Sequence, residues 1–336
     1  MSDNKQNKKQ SIISLENVNK QFWVPDKPKT FMGKVKNIIV RKKKNKQIIK
    51  DLNLEIYKGD IIGYIGENGS GKSTTIKMLT GIYPPTSGKI TCLGKDPFNN
   101  RVDYVKDIGV VFGNRSLLNI DIAPIYSIEL QASIYGLSQE TTKRRMMKFA
   151  KKLRVENLLH TPVRKLSLGE RMKFEIIASL LHKPKIIFLD EPTIGLDVIA
   201  REKMIKFLRE INKTEKTTIF LTTHNMDDIE EICNRIVIID NGKKVYEGDL
   251  KELKQIYANW KRITIVYKEK ANRFCDRGLQ VLEKHDNVII FKAPNDKLEQ
   301  CLTQITNCFE ILDLKIEEPA LKEIVKRIYS DGHVSN

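Results

Sequence analysis

The residues Gly66-Glu67-Asn68-Gly69-Ser70-Gly71-Lys72-Ser73 form the pattern G-x-x-x-x-G-K-S. Glycines at these positions let a backbone curl into a nest whose N–H groups face phosphate oxygens. Lys72 would reach the β- and γ-phosphates of a nucleotide, and the Ser73 hydroxyl would bind Mg²⁺. The helix that follows adds the positive end of its dipole. Nucleotide contacts are therefore expected from Gly66, Asn68, Gly69, Gly71, Lys72, Ser73 and Thr74. A chance glycine-rich turn would lack the flanks this pattern needs. Here the apolar strand IIGYIG precedes it and KSTTIKMLTG opens a helix after it.

A second group is Ile186-Ile-Phe-Leu-Asp190-Glu191-Pro192. An apolar strand ending in acids delivers carboxylates to the C-terminal edge of a parallel sheet, where the phosphate loop also lies. Asp190 would hold Mg²⁺, directly or through water. Glu191 could orient and polarise an attacking water. Alone, such a strand end is an ordinary turn; beside a phosphate loop it reads as the hydrolytic half of a nucleotide site. A third group, Leu166-Ser167-Leu168-Gly169-Glu170, reads by itself as the start of an amphipathic helix.

The elements that must position these groups follow a β/α rhythm. IISLENV and the alternating IIKDLNLEIY read as strands, and QFWVPDKP as a break at its two prolines. KITCLG, DIGVVF, KIIFLD, TTIFLT and RIVIID are short apolar strands separated by helical segments, the signature of a mainly parallel sheet covered on both faces. Asn241-Gly242 marks a hairpin turn into KKVYEGD. Residues 120–182 are mostly helical in pattern and suggest a separate subdomain. After about residue 258 the pattern becomes a small α+β unit: ITIVYKEK, NVIIFKAP and ILDLKIEEP as strands, DKLEQCLTQITNCF and ALKEIVKRIY as helices.

The order of these groups is similar to that of the ATP-binding subunits of ABC transporters. A phosphate loop is followed by a helical block, LSLGE, FLDEP, Ile194-Gly195-Leu196-Asp197 and Thr222-Thr223-His224. The spacings agree with that family: 190 − 167 = 23 residues from serine to aspartate, and 224 − 191 = 33 from glutamate to histidine. The resemblance covers about residues 12–250. LSLGERM, DEPTIGLD and KSTTIKMLTGIYPPTSG resemble the exporter branch with separate permease chains. It implies an α/β P-loop NTPase core with a mainly parallel sheet, antiparallel N-terminal strands, a helical subdomain near 114–182 and a basic insertion near 30–47. The cassette would span 1–257 and a small α+β accessory domain 258–336.

The resemblance also implies roles. Cassettes pair head to tail, and each ATP lies between the phosphate loop of one and the Ser167/Gly169 signature of the other. Glu191 would act as general base, with Lys72 and His224 completing the catalytic set and His224 contacting the γ-phosphate. Asp197 would lie at the dimer interface. Phe22 would stack on adenine, with Trp23 its rival. The reaction is in-line attack of water on the γ-phosphorus, driven by positioning and charge stabilisation. The protein would work on the cytoplasmic face of a membrane, bound to a multi-span permease and a second cassette, with ATP and Mg²⁺ as cofactors. Two positions depart from the pattern. Leu168 and Glu170 replace the commoner Gly and Gln. Asn114 stands where the family carries glutamine that binds nucleotide and metal, keeping the amide with one methylene less.

Composition narrows the alternatives. Hydrophobic residues make up 40% and charged residues 30% of the 336, which excludes a disordered chain. No stretch reaches the roughly 20 apolar residues of a membrane-crossing helix, and MSDNKQNKKQ lacks the apolar core of a secretory signal. Cys92, Cys233, Cys275, Cys301 and Cys308 are scattered and never in CxxC spacing, against a disulfide framework or a zinc site. The net charge of +17 is local: residues 1–50 hold 14 Lys/Arg and 3 Asp/Glu, 14 − 3 = +11. The run Arg41–Lys46 reads either as a solvated loop or helix, or as a contact for an anionic membrane surface. A nucleic-acid or ribosome-associated ABC ATPase is the rival function. One cassette and no sustained heptads speak against it. The Asn114 departure generates a prediction: Asn114→Gln keeps or raises ATP turnover, and a loss above tenfold would refute the alignment at this position.

Overall fold

The computed structural model describes residues 10–25, 43–113, 115–270 and 279–334. The chain divides into two units, 1–247 and 248–336. The division falls 257 − 247 = 10 residues before the boundary expected above.

The first unit begins with two long antiparallel strands, β1 (Ser11–Pro25) and β2 (Lys43–Tyr57), followed by β3 (Ile61–Gly66), helix α1 (Lys72–Leu79) and β4 (Ser87–Cys92). Next come the short α2 (Arg101–Tyr104), β5 (Ile108–Val111), and the three main helices of the expected helical block: α3 (Pro124–Ile134), α4 (Gln139–Leu153) and α5 (Leu168–Leu180). The alternation resumes with β6 (Ile186–Asp190), α6 (Val198–Glu215), β7 (Thr218–Thr222), α7 (Met226–Ile232), β8 (Arg235–Asp240) and β9 (Lys243–Asp249).

Two sheets result, a three-stranded β2-β1-β4 and a six-stranded β5-β6-β7-β3-β8-β9. β5, β6, β7, β3 and β8 run parallel. All six residues of β3 and all five of β7 are buried, as apolar runs in a doubly covered sheet should be. β3 and β6 are separated only by β7, so the phosphate loop and Asp190 emerge at the same sheet edge. Asn241 and Gly242 both have positive φ, 47° and 82°, the conformation that lets two residues turn β8 into β9. A Cβ on Gly242 would sit 2.1 Å from the Ile48 carbonyl, and the Gly242 carbonyl accepts the Lys50 N–H at 2.9 Å. That turn thus ties the two sheets of the first unit together.

One expectation fails here. β1 does not stop at QFWVPDKP: Gln21 to Pro25 continue the strand, paired with Lys43 to Gln47 of β2. Residues 43–47 of the basic insertion are therefore strand rather than loop or helix. Lysines suit an outer strand, because charge discourages further pairing. Residues 30–42 of that insertion lie outside the described residues.

The second unit holds helix α8 (Leu250–Tyr257), β10 (Trp260–Lys270), β11 (Gln280–His285), β12 (Val288–Pro294), α9 (Leu298–Cys308), β13 (Phe309–Glu317) and α10 (Leu321–Val334). Its four-stranded antiparallel sheet has the order β11-β12-β10-β13. Ile263, Ile265, Phe291, Ile305 and Phe309 form its own core. α8 and β11 had no expectation in the sequence. Every residue of β11 is exposed, so it lacks the apolar alternation that marks a strand.

Candidate functional site

The phosphate loop is shaped by glycines that no other residue replaces without strain. Gly69 and Gly71 have φ of 86° and 110°, and a Cβ on Gly71 would lie 2.4 Å from Ile49 Cδ1. Gly66 is as tight, with Ser70 Oγ 2.3 Å from the place of a Cβ. Lys72, the first residue of α1, is buried. Its Nζ donates to the carbonyls of Gly66 (2.6 Å) and Glu67 (3.1 Å). Burial lowers its pKa, and the charges of Glu191 and Asp190 oppose that shift. The loop borders a cavity of about 480 Å³, into which Ser73, Thr74, Asp190, Glu191 and His224 also face.

The acids arrive as the strand pattern requires. Asp190 Oδ1 accepts from Thr222 Oγ1 at 2.5 Å, fixing one oxygen at the end of β7. Glu191 adopts a left-handed φ of 55°, and its N–H donates to the Thr222 carbonyl at 2.9 Å. Strain of this kind persists only where neighbours enforce it. Burial pushes the Glu191 carboxyl above its ordinary value; adjacent Asp190 adds to the rise, while His224 and Lys72 oppose it. His224 meets Glu191 twice: its N–H donates to Oε2 at 3.3 Å, and Nε2 lies 3.3 Å from Oε1. An ammonium, two carboxylates, a hydroxyl and an imidazole thus converge on one glycine-lined cavity, a donor set suited to a nucleotide triphosphate with a divalent cation. Gly113 reaches the same cavity, where a Cβ would approach the Asp190 carbonyl to 3.2 Å. Its neighbour Asn114 lies outside the described residues.

Ser167 is somewhere else. It caps α5 in a reciprocal box: its side chain accepts from the Glu170 N–H, and its own N–H and hydroxyl donate to Glu170 Oε2 at 2.8 and 2.9 Å. None of residues 167–170 lines the cavity. Gly169 packs on the loop Ile194–Asp197, where a Cβ would meet the Gly195 carbonyl at 2.9 Å. Ile194 of that loop does line the cavity, and Asp197 caps α6 by accepting the Ala200 N–H at 2.8 Å. One short loop therefore joins the nucleotide cavity to the outward-facing signature.

The aromatics separate by register. Phe22 pairs with Lys46, so the two side chains share a face, and Lys46 lines the cavity. Trp23 is on the other face and 69% exposed. The Phe22 ring itself meets Tyr83 edge-on, with centroids 5.4 Å apart, and does not line the cavity. Lys46, counted above with the basic run, is a cavity residue.

Two buried acids escaped the sequence reading. Asp228 of α7 is almost fully buried and accepts from Thr193 Oγ1, Arg201 Nε and Thr223 Oγ1, binding the 193 loop, α6 and the end of β7 into one hub. Glu175, in the middle of α5, accepts from Ser116 Oγ and, at 2.9 Å, from the Leu117 N–H. It ties the signature helix to the chain that leaves Asn114. The signal was an acid at an inward position of an otherwise apolar helix face.

The comparisons agree with this geometry. The family model described as "ABC transporter" matches residues 49–194. The chain is 31% identical over 212 residues to the ABC transporter ATP-binding protein NatA of Bacillus subtilis, covering 63% of this chain and 86% of that protein. The chain belongs to the ABC transporter family. It is an ATP-binding protein and an ATPase of that family. A longer match, 28% identical, is to the bacitracin transport ATP-binding protein BcrA of Bacillus licheniformis; it covers 85% of this chain, beyond the extent of the first unit, and 94% of that protein. Among solved structures, cbiO1 from Clostridium perfringens, part of the ABC transporter complex cbiONQ, matches with TM-score 0.60 and 25% identity over 72% of this chain and 90% of that one.

Glu175 yields a stability prediction. Glu175→Ala strands the Leu117 N–H and should cost about 1–3 kcal/mol. The pH dependence has a definite sign, because burial raises the Glu175 carboxyl above its ordinary value. The stability advantage of the parent over Glu175→Gln is full below the ordinary carboxyl range and fades as pH rises through the raised value. Urea unfolding of both proteins across pH checks this; an advantage that grows with pH would contradict it.

Proposed function

We propose that this chain is the ATP-hydrolysing subunit of an exporter, driving a separate multi-span permease from the cytoplasmic face of the membrane. In this reading Gly66, Asn68, Gly69, Gly71, Lys72, Ser73 and Thr74 hold the triphosphate, and Phe22 supports the adenine. Mg²⁺ would be held by Ser73, Asp190 and Asn114, and when bound it neutralises charge on the phosphate oxygens. Glu191 positions and deprotonates the attacking water, its raised basicity suiting a general base. His224 steadies the Glu191 carboxylate and faces the γ-phosphate. Lys72 exchanges its two loop carbonyls for phosphate oxygens and stabilises the charge that develops there.

Ser167 and Gly169 complete the site of a second cassette, a reading supported by their not lining the cavity of their own chain. ATP then binds the closed pair better than the open one, and that difference in affinity is what performs work. Hydrolysis removes it. Export rather than import is supported by the names of relatives, which include the Nod factor export ATP-binding protein I of Cupriavidus pinatubonensis, 34% identical over 61% of this chain and 63% of that protein.

The observation that carries the permease reading is an apolar stripe on α3. Tyr126, Leu130 and Ile134, spaced four apart on one helix face, are all exposed, Leu130 by 62%. Among the described residues no helix is long and apolar enough to cross a membrane; in this reading the stripe docks on a separate permease chain. The test is purification of tagged protein from mildly solubilised membranes. A multi-span protein without its own cassette should accompany the parent. Leu130→Asp should reduce its recovery by at least roughly tenfold, as burying a carboxylate in an apolar contact requires, while ATPase of the isolated chain stays unchanged. Recovery of ribosomes or nucleic acid through moderate salt would overturn the reading.

A further inference from the structure

β13 is an edge of the second unit's sheet, and among the described residues β10 is its one strand partner. Natural edge strands are protected against pairing, most often by charge. β13 carries its charges in an order that fails to protect it against one partner, a second copy of itself. The central residues are Leu312-Asp313-Leu314-Lys315-Ile316. Laid antiparallel with Leu314 opposite Leu314, they set Asp313 against Lys315 twice within the regular stretch 313–317, which an irregularity at Leu312 bounds on one side. Centring the pair on Asp313 opposes two aspartates. Centring it on Lys315 opposes two lysines and sets Asp313 against Glu317. A two-fold axis perpendicular to the sheet admits only such same-face registers, because paired residues must point the same way.

The faces agree with this register. Leu314 and Ile316 pair with Ile265 and Ile263, which are buried in the core beneath α9. Both are nevertheless exposed at the sheet edge. Pairing would therefore extend the existing core across the two-fold axis. The polar groups of the edge are occupied by substitutes within the strand: Asp313 Oδ1 accepts the Leu314 N–H at 2.8 Å, and Lys315 Nζ lies 2.9 Å from Glu317 Oε1. A second strand would exchange both for cross-strand bonds.

We propose that the β13 strands of two copies of this chain pair antiparallel about Leu314, joining two four-stranded sheets into one continuous sheet. The association needs no nucleotide. It makes the partner cassette a second copy of this chain and raises the effective concentration for ATP-driven closure.

The test uses the full chain without nucleotide. Opposed residues in such a pair have Cα atoms about 4.5–5.5 Å apart, within disulfide range. Leu314→Cys under mild oxidation should form a symmetric disulfide dimer, identified by peptide mass spectrometry. It should form at least roughly tenfold faster than Lys322→Cys on the exposed face of α10. In sedimentation experiments Asp313→Lys should raise the dimer dissociation constant about tenfold, since it places like charges opposite each other twice, and Asp313→Lys with Lys315→Asp should restore it. Both residues are exposed, so folding is retained and is checked by circular dichroism. Cross-linking no faster than at Lys322, or a double exchange as weak as the single one, would overturn the proposal.

Discussion

The first unit depends on holding two adjacent carboxylates and one ammonium at the end of a buried parallel sheet. Burial penalises two of these charges: it raises Glu191 and lowers Lys72. The opposite charges offset part of this: Lys72 and His224 oppose the rise of Glu191, and the two carboxylates oppose the fall of Lys72, while Asp190 adds to the rise of Glu191. The sheet order is what brings them together, since β3 and β6 flank β7 and deliver their C-terminal ends to one place. The glycine loop then supplies what side chains cannot, a curved row of backbone donors within reach of an anion. The left-handed Glu191 follows from the same constraint, with its N–H tied to Thr222 and its carboxylate turned toward His224.

In the proposed reading the site is divided between two cassettes. The signature serine is locked in its own capping box and does not line the cavity of its chain. The 194–197 loop packs on Gly169 at one end and reaches the cavity through Ile194 at the other. The two regions are thus joined by direct packing. Asp228, paired with Arg201, accepts from Thr193 just before the same loop, and Glu175 braces the signature helix against the chain after Asn114. These buried acids hold together the elements around the site, although neither lines the nucleotide cavity.

Much of this was legible in the sequence because it rests on local rules. The phosphate loop, the acid-ended strand and the Asn241-Gly242 turn each need particular residue types at fixed spacing, and their order matched a known family. What stayed hidden depends on partners distant in sequence. Phe22 and Trp23 continue a strand only because Lys46 and Asn45 pair with them. β11 is a strand by hydrogen bonding alone, with no buried face to announce it. Glu175 and Asp228 look like ordinary helical acids until the elements that surround them are in place. Lys46 looks like one lysine in a basic run until the register of β2 turns it toward the nucleotide cavity.

The central claim is that one chain holds only half of each catalytic site. Mixing two inactive variants tests it directly. Lys72→Ala removes the phosphate contact and Ser167→Arg blocks the signature, so neither pair alone hydrolyses ATP. Mixed head-to-tail pairs collect both defects in one site and leave the other intact. Equal mixing should restore roughly a quarter of the parent ATPase rate, the statistical share of intact sites in a symmetric dimer. No recovery on mixing, or full activity in Ser167→Arg alone, would show that the site is complete within one chain and would contradict the account.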